Sequence, residues 1–134
     1  MLRPAAAADL LPLLAICDRA DADALSDPAL VTEPLLRRLI AAGSVAVWDA
    51  AGHVLGFTAI DGGAIRLLVD PAHRSKGIGR ELLAAACALI ENAGHATAML
   101  TLAPDSTAER HYRAAGWREE GRTPAGGLVL KKTL

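Results

Sequence analysis

A junction between a strand and a helix, built around two glycines, constrains this chain more than any other feature of its sequence. Residues 67–80 read LLVDPAHRSKGIGR: an apolar strand end, a turn at Asp70-Pro71, a loop with Gly77 and Gly79, and the start of an amphipathic helix. Glycine lets a main chain approach a ligand closely. A helix start leaves amide groups unpaired, with a partial positive charge. The junction therefore predicts an α/β fold with an anion site at the start of this helix.

Three basic side chains flank the glycines: Arg74, Lys76 and Arg80. Together they suit a diphosphate better than a single carboxylate. The order differs from that of the common nucleotide loops, because the lysine precedes the glycines and position 82, where a third glycine would stand, is a leucine. Nucleoside triphosphates and dinucleotides are therefore disfavoured. The residues alone leave one alternative open, in which the two glycines only shape the strand-to-helix connection.

The spacing of apolar residues predicts the elements along the rest of the chain. Helices are expected over residues 10–20, 29–42, 78–92 and 107–114, and strands over 1–3, 44–49, 53–60, 64–69, 96–102, 117–120 and 128–132. Asp9 is expected to cap the first helix. Helices lie between several of the strands, and the chain shows neither repeats nor linkers. Residues 1–134 are therefore expected to form a single domain, a mixed α/β sheet covered by helices.

Composition excludes several classes of protein. Apolar residues make up 52% of the chain, which disfavours disorder, and the net charge of −1 offers no broad basic surface for nucleic acid. Neither a signal peptide nor an apolar run long enough for a membrane is evident, so a cytoplasmic protein with no membrane partner is expected. Cys17 and Cys87 are expected to be buried, reduced thiols. The four histidines lack metal-site spacing, so no metal is expected.

Two blocks of the sequence resemble the GNAT superfamily of N-acetyltransferases. The first is Arg74-Ser75-Lys76-Gly77-Ile78-Gly79, which looks like the family's [QR]-x-x-G-x-[GA] acetyl-CoA signature. The second runs from Ala108 to Trp117 and resembles the A-x-x-x-Y-x-x-x-G-F block, with Tyr112 as its tyrosine. The resemblance implies a mixed, largely antiparallel sheet of six to seven strands with about four helices. It also implies that the fourth and fifth strands splay apart around the thioester.

The resemblance also implies roles for individual residues. Main-chain groups of Leu67, Leu68 and Val69 would pair with the pantetheine arm of acetyl-CoA, as an added strand pairs with a sheet edge. Tyr112 would protonate the departing thiolate. The pyrophosphate would be held by the loop and helix start, whose residues are Arg74, Ser75, Lys76, Gly77, Ile78, Gly79 and Arg80.

Two positions depart from the family's pattern. Asp105 stands where the family often has an asparagine that contacts the cofactor; its carboxylate can accept a hydrogen bond but adds a negative charge. Arg66 and Leu100 stand where many members carry a glutamate that takes the amine's proton. Asp61 and Glu33 are candidate replacements, and the general base is left unassigned.

The resulting hypothesis is an enzyme that moves an acetyl group from acetyl-CoA to a primary amine by direct attack in a ternary complex. The acceptor, a small molecule or a peptidyl amine, is left unassigned, and a homodimer is compatible with the family. The alternative is a non-catalytic sensor or regulatory module that binds acetyl-CoA or CoA. The missing strand glutamate and Asp105 favour this alternative, whereas the retained Tyr112 argues against it.

Overall fold

A mixed sheet forms the centre of the protein in a computed structural model that describes residues 1–74 and 76–134. Within those ranges there are seven strands: β1 (Leu2–Pro4), β2 (Val45–Ala50), β3 (His53–Asp61), β4 (Ala64–Val69), β5 (Thr97–Leu102), β6 (Arg118–Arg122) and β7 (Leu128–Thr133). Four α-helices accompany them: α1 (Leu10–Arg19), α2 (Glu33–Ala41), α3 (Ile78–Asn92) and α4 (Thr107–Ala114). The strand order across the sheet is β1-β2-β3-β4-β5-β7-β6. The α/β prediction is confirmed.

Strands β1 to β4 form an antiparallel run, in which tight turns join β2 to β3 and β3 to β4. Ala51 and Gly52 both have positive φ angles, +51° and +91°, in the turn between β2 and β3. Such angles at both central residues match the right-handed twist of the flanking strands. The turn residues noted in the sequence therefore set the register of this half of the sheet.

Two apolar clusters cover opposite faces of the sheet, because side chains alternate along each strand. One face packs against α3 and α4 and includes Leu67 and Val69, both of β4. The other face packs against α1 and α2 and includes Leu68. Consecutive residues of β4 thus contribute to both clusters, so the end of this central strand is buried on both faces.

A gap opens between β4 and β5, the one parallel pair of neighbours among the described strands. Their register is limited to Ala64 with Met99 and Ile65 with Leu100. Beyond these residues β5 stays paired with β7 along its whole length, whereas β4 stays paired with β3. The two halves of the sheet therefore separate from Leu67 onward, and the expected splay between the fourth and fifth strands is confirmed.

Two local expectations differ from the structure. Asp9 does not cap α1; its carboxylate instead accepts the N–H of Ala6 at 2.7 Å and pairs with both terminal nitrogens of Arg3. The second helix begins at Glu33 rather than near residue 29, because Thr32 Oγ1 accepts the N–H of Leu35 as its N-cap.

Candidate active site

The edge of β4 that faces the gap presents main-chain groups of Leu67 and Val69. The N–H of Asp70 donates to the carbonyl of Leu55 on β3, and neighbouring residues of a strand direct these groups to opposite sides. Leu68 therefore faces β3, whereas Leu67 and Val69 face the gap. Leu67, Leu68 and Val69 are 0%, 1% and 6% exposed, respectively.

The gap-facing groups of Leu67 are already hydrogen-bonded, and the partner is a serine from the connection between α1 and α2. Ser26 Oγ accepts the N–H of Leu67 at 2.9 Å and donates to the carbonyl oxygen of the same residue at 3.0 Å. Ser26 is only 2% exposed. The sequence suggested nothing more than a loop here, because a serine beside Asp27-Pro28 is typical of a turn.

The start of α3 has the features of an anion site. Gly77 precedes the helix with φ of +82°, and no side chain caps the first amide groups. Ile78 is buried and anchors the helix to the core. A Cβ atom on Gly79 would lie 2.6 Å from Leu25 Cδ1, so the absence of a side chain there lets the connection approach the helix. Ser75 lies outside the described residues.

The basic side chains of this loop differ in their surroundings. Arg74 forms a two-pronged ion pair with Asp21, at 2.8 and 3.0 Å. This guanidinium lowers the pKa of Asp21 below its ordinary value. Lys76 Nζ lies 3.2 Å from His73 Nδ1, and Arg80 is exposed on the first turn of α3.

Tyr112 lies on α4 with its ring in the core and its hydroxyl directed at the connection between α1 and α2. The hydroxyl donates to the carbonyl oxygen of Leu25 at 2.9 Å, and the ring meets that of Trp117 edge-on at 5.5 Å. Burial raises the pKa of Tyr112, so the phenol stays protonated at neutral pH. In this structure the hydroxyl therefore acts as a hydrogen-bond donor.

Asp105 occupies a left-handed turn just before α4. Its φ is +61°, a value that asparagine and aspartate tolerate better than most residues. Its N–H donates to Glu109 Oε1 at 2.8 Å, and the residue itself is exposed. The left-handed backbone at position 105 therefore explains why a small, polar residue stands there.

The two candidate bases lie on the surface and are ion-paired. Glu33 pairs with Arg37 at 3.2 Å, and Asp61 pairs with Arg38 at 3.5 Å. Arg66 is half-buried; burial lowers its pKa, and its Nε atom has no hydrogen-bond partner among the residues described. The general base is still unassigned.

A cleft of about 290 Å³ opens where β5 ends, beside the gap. Ser26 and Leu102 line its inner part, and the turn between β6 and β7 contributes Gly126 and Gly127. Asp21 and Asp27 also line it, so its polar lining is acidic. The cleft brings the connection between α1 and α2 next to the two strands that separate.

Two features are absent from the described part of the chain. Across residues 1–74 and 76–134 no group of three or more His, Cys, Asp or Glu side chains is arranged to hold a metal ion. In the same ranges no helix combines the length and the apolar character that crossing a membrane requires.

Comparison with known proteins points to one family. A family model described as the acetyltransferase (GNAT) domain matches residues 40–119, more than half of the chain. The mycothiol acetyltransferase of Beutenbergia cavernae is 44% identical over 43 residues. That match covers 32% of this chain and 14% of the relative, so the chain corresponds to only a small part of that protein's length.

Solved structures share the fold along the whole chain. Ard1 from Thermoplasma volcanium has a TM-score of 0.80 at 19% identity, covering 100% of this chain and 97% of that one. The PaiA N-acetyltransferase from Thermoplasma acidophilum, in complex with coenzyme A, has a TM-score of 0.71 at 17% identity, with coverage of 100% and 98%. At these identities the likeness establishes the fold.

Proposed function

The chain belongs to the GNAT acetyltransferase family, and on that premise we propose that it transfers the acetyl group of acetyl-CoA to a primary amine by direct attack in a ternary complex. One observation carries the proposal. The gap between β4 and β5 is bordered by the edge of β4 at Leu67 and Val69, with which no other described strand pairs, by the uncapped start of α3 and by the hydroxyl of Tyr112. Each of these groups suits a different part of an acyl-CoA molecule.

The described residues fit the cofactor by their chemistry. The edge of β4 offers N–H and carbonyl groups to the amides of a pantetheine arm. The amide groups at the start of α3, preceded by the left-handed Gly77, suit a pyrophosphate. Arg74, Lys76 and Arg80 add positive charge, and the coenzyme A bound to the Thermoplasma acidophilum protein of the same fold supports this choice of cofactor.

Bound acetyl-CoA supplies an electrophilic thioester carbonyl. The nitrogen of a neutral amine forms a bond to that carbon, the carbon–sulfur bond breaks, and the sulfur leaves as a thiolate. The resemblance to the family supports Tyr112 as the donor that protonates this thiolate, and its hydroxyl is protonated at neutral pH. The proton lost by the amine passes to a base that is still unassigned.

The acidic cleft at the end of β5 supports a basic acceptor. In the cofactor-free protein Arg74 compensates the charge of Asp21, and Asp27 gives the lining a negative charge that attracts an ammonium group rather than a carboxylate. Its opening to solvent suits either a small amine or the amino group of a peptide. A panel of polyamines, amino acids and peptides with free amino termini therefore tests the acceptor class.

Calorimetric binding of CoA to the wild type and to Gly79→Glu tests the cofactor site. We expect binding in the wild type and its loss in the variant, because a carboxylate at the start of α3 would repel the pyrophosphate. Ala88→Glu is the matched control, since Ala88 is exposed on the same helix far from its start. Equal binding by all three proteins, or none by the wild type, would contradict the proposal.

Turnover is followed as free thiol released from acetyl-CoA in the presence of each amine. Release that depends on the amine and falls in Tyr112→Phe is the expected result. Binding of CoA without release on any amine would instead favour the sensor.

A further inference from the structure

The connection between α1 and α2 contains a segment, residues 21–27, that reaches the elements around the gap through its own hydrogen bonds. We call this segment the plug. Its contacts are Asp21 with Arg74, Asp23 with the N–H of Thr107, Leu25 with Tyr112, Ser26 with Leu67, and Asp27 with Thr101. The plug thus touches β4, β5, α4 and the loop before α3.

Ser26 and Asp27 bridge the two strands that separate. Ser26 Oγ satisfies both gap-facing groups of Leu67, and the N–H of Asp27 donates to the carbonyl oxygen of Thr101 on β5 at 2.7 Å. Adjacent residues of the plug therefore complete the hydrogen bonds of β4 and β5 where the strands no longer pair. A pantetheine arm bound to the N–H and carbonyl of Leu67 would require the same positions as Ser26 Oγ.

Other groups proposed to serve the cofactor are engaged by the plug as well. The carbonyl oxygen of Leu25 holds the Tyr112 hydroxyl, and Leu25 Cδ1 lies against the start of α3 at Gly79. The carboxylate of Asp21 is paired with Arg74, a position that a phosphate would contest. The plug thus occupies the proposed ligand positions one by one. The Ser26 hydroxyl binds the strand edge where the pantetheine arm would bind, and the Asp21 carboxylate binds Arg74 where a phosphate would bind.

We propose that the plug occupies the acyl-CoA position in the cofactor-free protein and that binding of acyl-CoA displaces it. This inference rests on the proposed function and adds a regulation of the same site. The apparent affinity for CoA then equals the intrinsic affinity of the open site multiplied by the fraction of molecules in which the plug has left the gap. The Tyr112 hydroxyl becomes available to a leaving thiolate only when Leu25 withdraws.

Ser26→Ala tests the plug by calorimetric titration with CoA. The variant leaves the N–H and the carbonyl of Leu67 without a partner when the plug is in the gap, which destabilises that form alone. We therefore expect CoA to bind the variant about tenfold more tightly than the wild type. Ser44→Ala is the matched control, because Ser44 lies in the turn before β2, outside the plug. Thermal unfolding of each variant checks that it folds.

Asp21→Asn provides a second test that leaves the core untouched, since the Asp21 side chain is 54% exposed. It weakens the link to Arg74 and should tighten CoA binding severalfold. Asp18→Asn, at an exposed position of α1, removes the same charge and controls for the general attraction of the CoA phosphates.

Amide hydrogen exchange supplies a readout independent of turnover. In the free protein the N–H of Asp27 is protected by Thr101, and we expect its exchange to accelerate when CoA is added. Displacement of the plug would be ruled out if Ser26→Ala bound CoA no more tightly than the wild type, or if exchange at Asp27 slowed when CoA was added. The proposed function would stand in either case. Failure of both the wild type and Ser26→Ala to bind CoA would overturn the proposed function, and the plug with it.

Discussion

The Tyr112 hydroxyl donates a 2.9 Å hydrogen bond to the main-chain oxygen of Leu25, which lies 87 positions earlier in the chain. The bond joins α4 to the plug, whose residues Ser26 and Asp27 bridge β4 and β5. The tyrosine is thus both the proposed proton donor of the transfer and a structural contact of the cofactor-free protein. A substitution of Tyr112 should therefore change both the free energy of unfolding and the rate of acetyl transfer, and the two effects can be measured separately.

Tyr112→Phe removes the hydroxyl and keeps the ring against Trp117. We expect the free energy of unfolding to fall by about 0.5–1.5 kcal/mol, because the partly buried carbonyl of Leu25 loses its hydrogen-bond partner. Turnover with a responsive amine should fall by about 10²–10⁴-fold through the loss of the proton donor. Urea unfolding and thiol release measure the two effects. Full turnover in the variant would remove Tyr112 from the chemistry.

A double-mutant cycle of Gly79→Ala and Leu25→Ala tests the close approach of the plug to α3. The alanine Cβ would meet Leu25 Cδ1 at 2.6 Å, so the helix-propensity gain of up to about 1 kcal/mol should be cancelled in the wild-type background. With Leu25→Ala the gain should reappear. We expect a coupling energy of at least about 0.5 kcal/mol from urea unfolding. Strict additivity would show that the two residues do not touch.

Substitutions of Asp105 separate conformation from charge. Asp105→Ala should lower the free energy of unfolding by about 1 kcal/mol, because alanine is strained at a φ of +61°. Asp105→Asn should change it by less than about 0.5 kcal/mol and tighten CoA binding by removing a negative charge. Glu120→Gln, at an exposed position on β6, is the charge-matched control. Equal CoA affinities in the two charge variants would place Asp105 away from the cofactor.

The ion pair between Arg3 and Asp9 should make stability depend on pH in the acid range. The hydrogen bonds from Arg3 lower the pKa of Asp9 below its ordinary value, and the Asp9 side chain is only 10% exposed. The stabilisation is therefore present above about pH 4 and is lost as the pH falls through the folded-state pKa.

Asp9→Asn should accordingly cost about 1–3 kcal/mol at pH 7 and progressively less below pH 4, as measured by urea unfolding across the range. Asp18→Asn serves as the control, since Asp18 is exposed on α1. A difference from the wild type that stays constant down to pH 2 would contradict this role for Asp9.

Local signals in the sequence predicted much of the fold. The bounds of α3 and α4 agree with those expected, because Gly77 and Ser106 mark their starts through conformation and side-chain capping within a few residues. Asp9 was wrongly assigned as a cap because its partner Arg3 belongs to β1, and only the packed structure brings them together. The glycine loop and Tyr112 could be recognised in the sequence because each belongs to a short, contiguous motif, as the helix starts do.

The sequence by itself determined the alternation of strands and helices, the family and the segment that suits a pyrophosphate. Only the tertiary structure decided where β4 and β5 separate and what lies between them. The plug contacts join residues 41 to 87 positions apart, from Ser26 with Leu67 to Leu25 with Tyr112. Periodicity and capping act over a few residues, whereas these partners meet only after the sheet and both helical layers have packed.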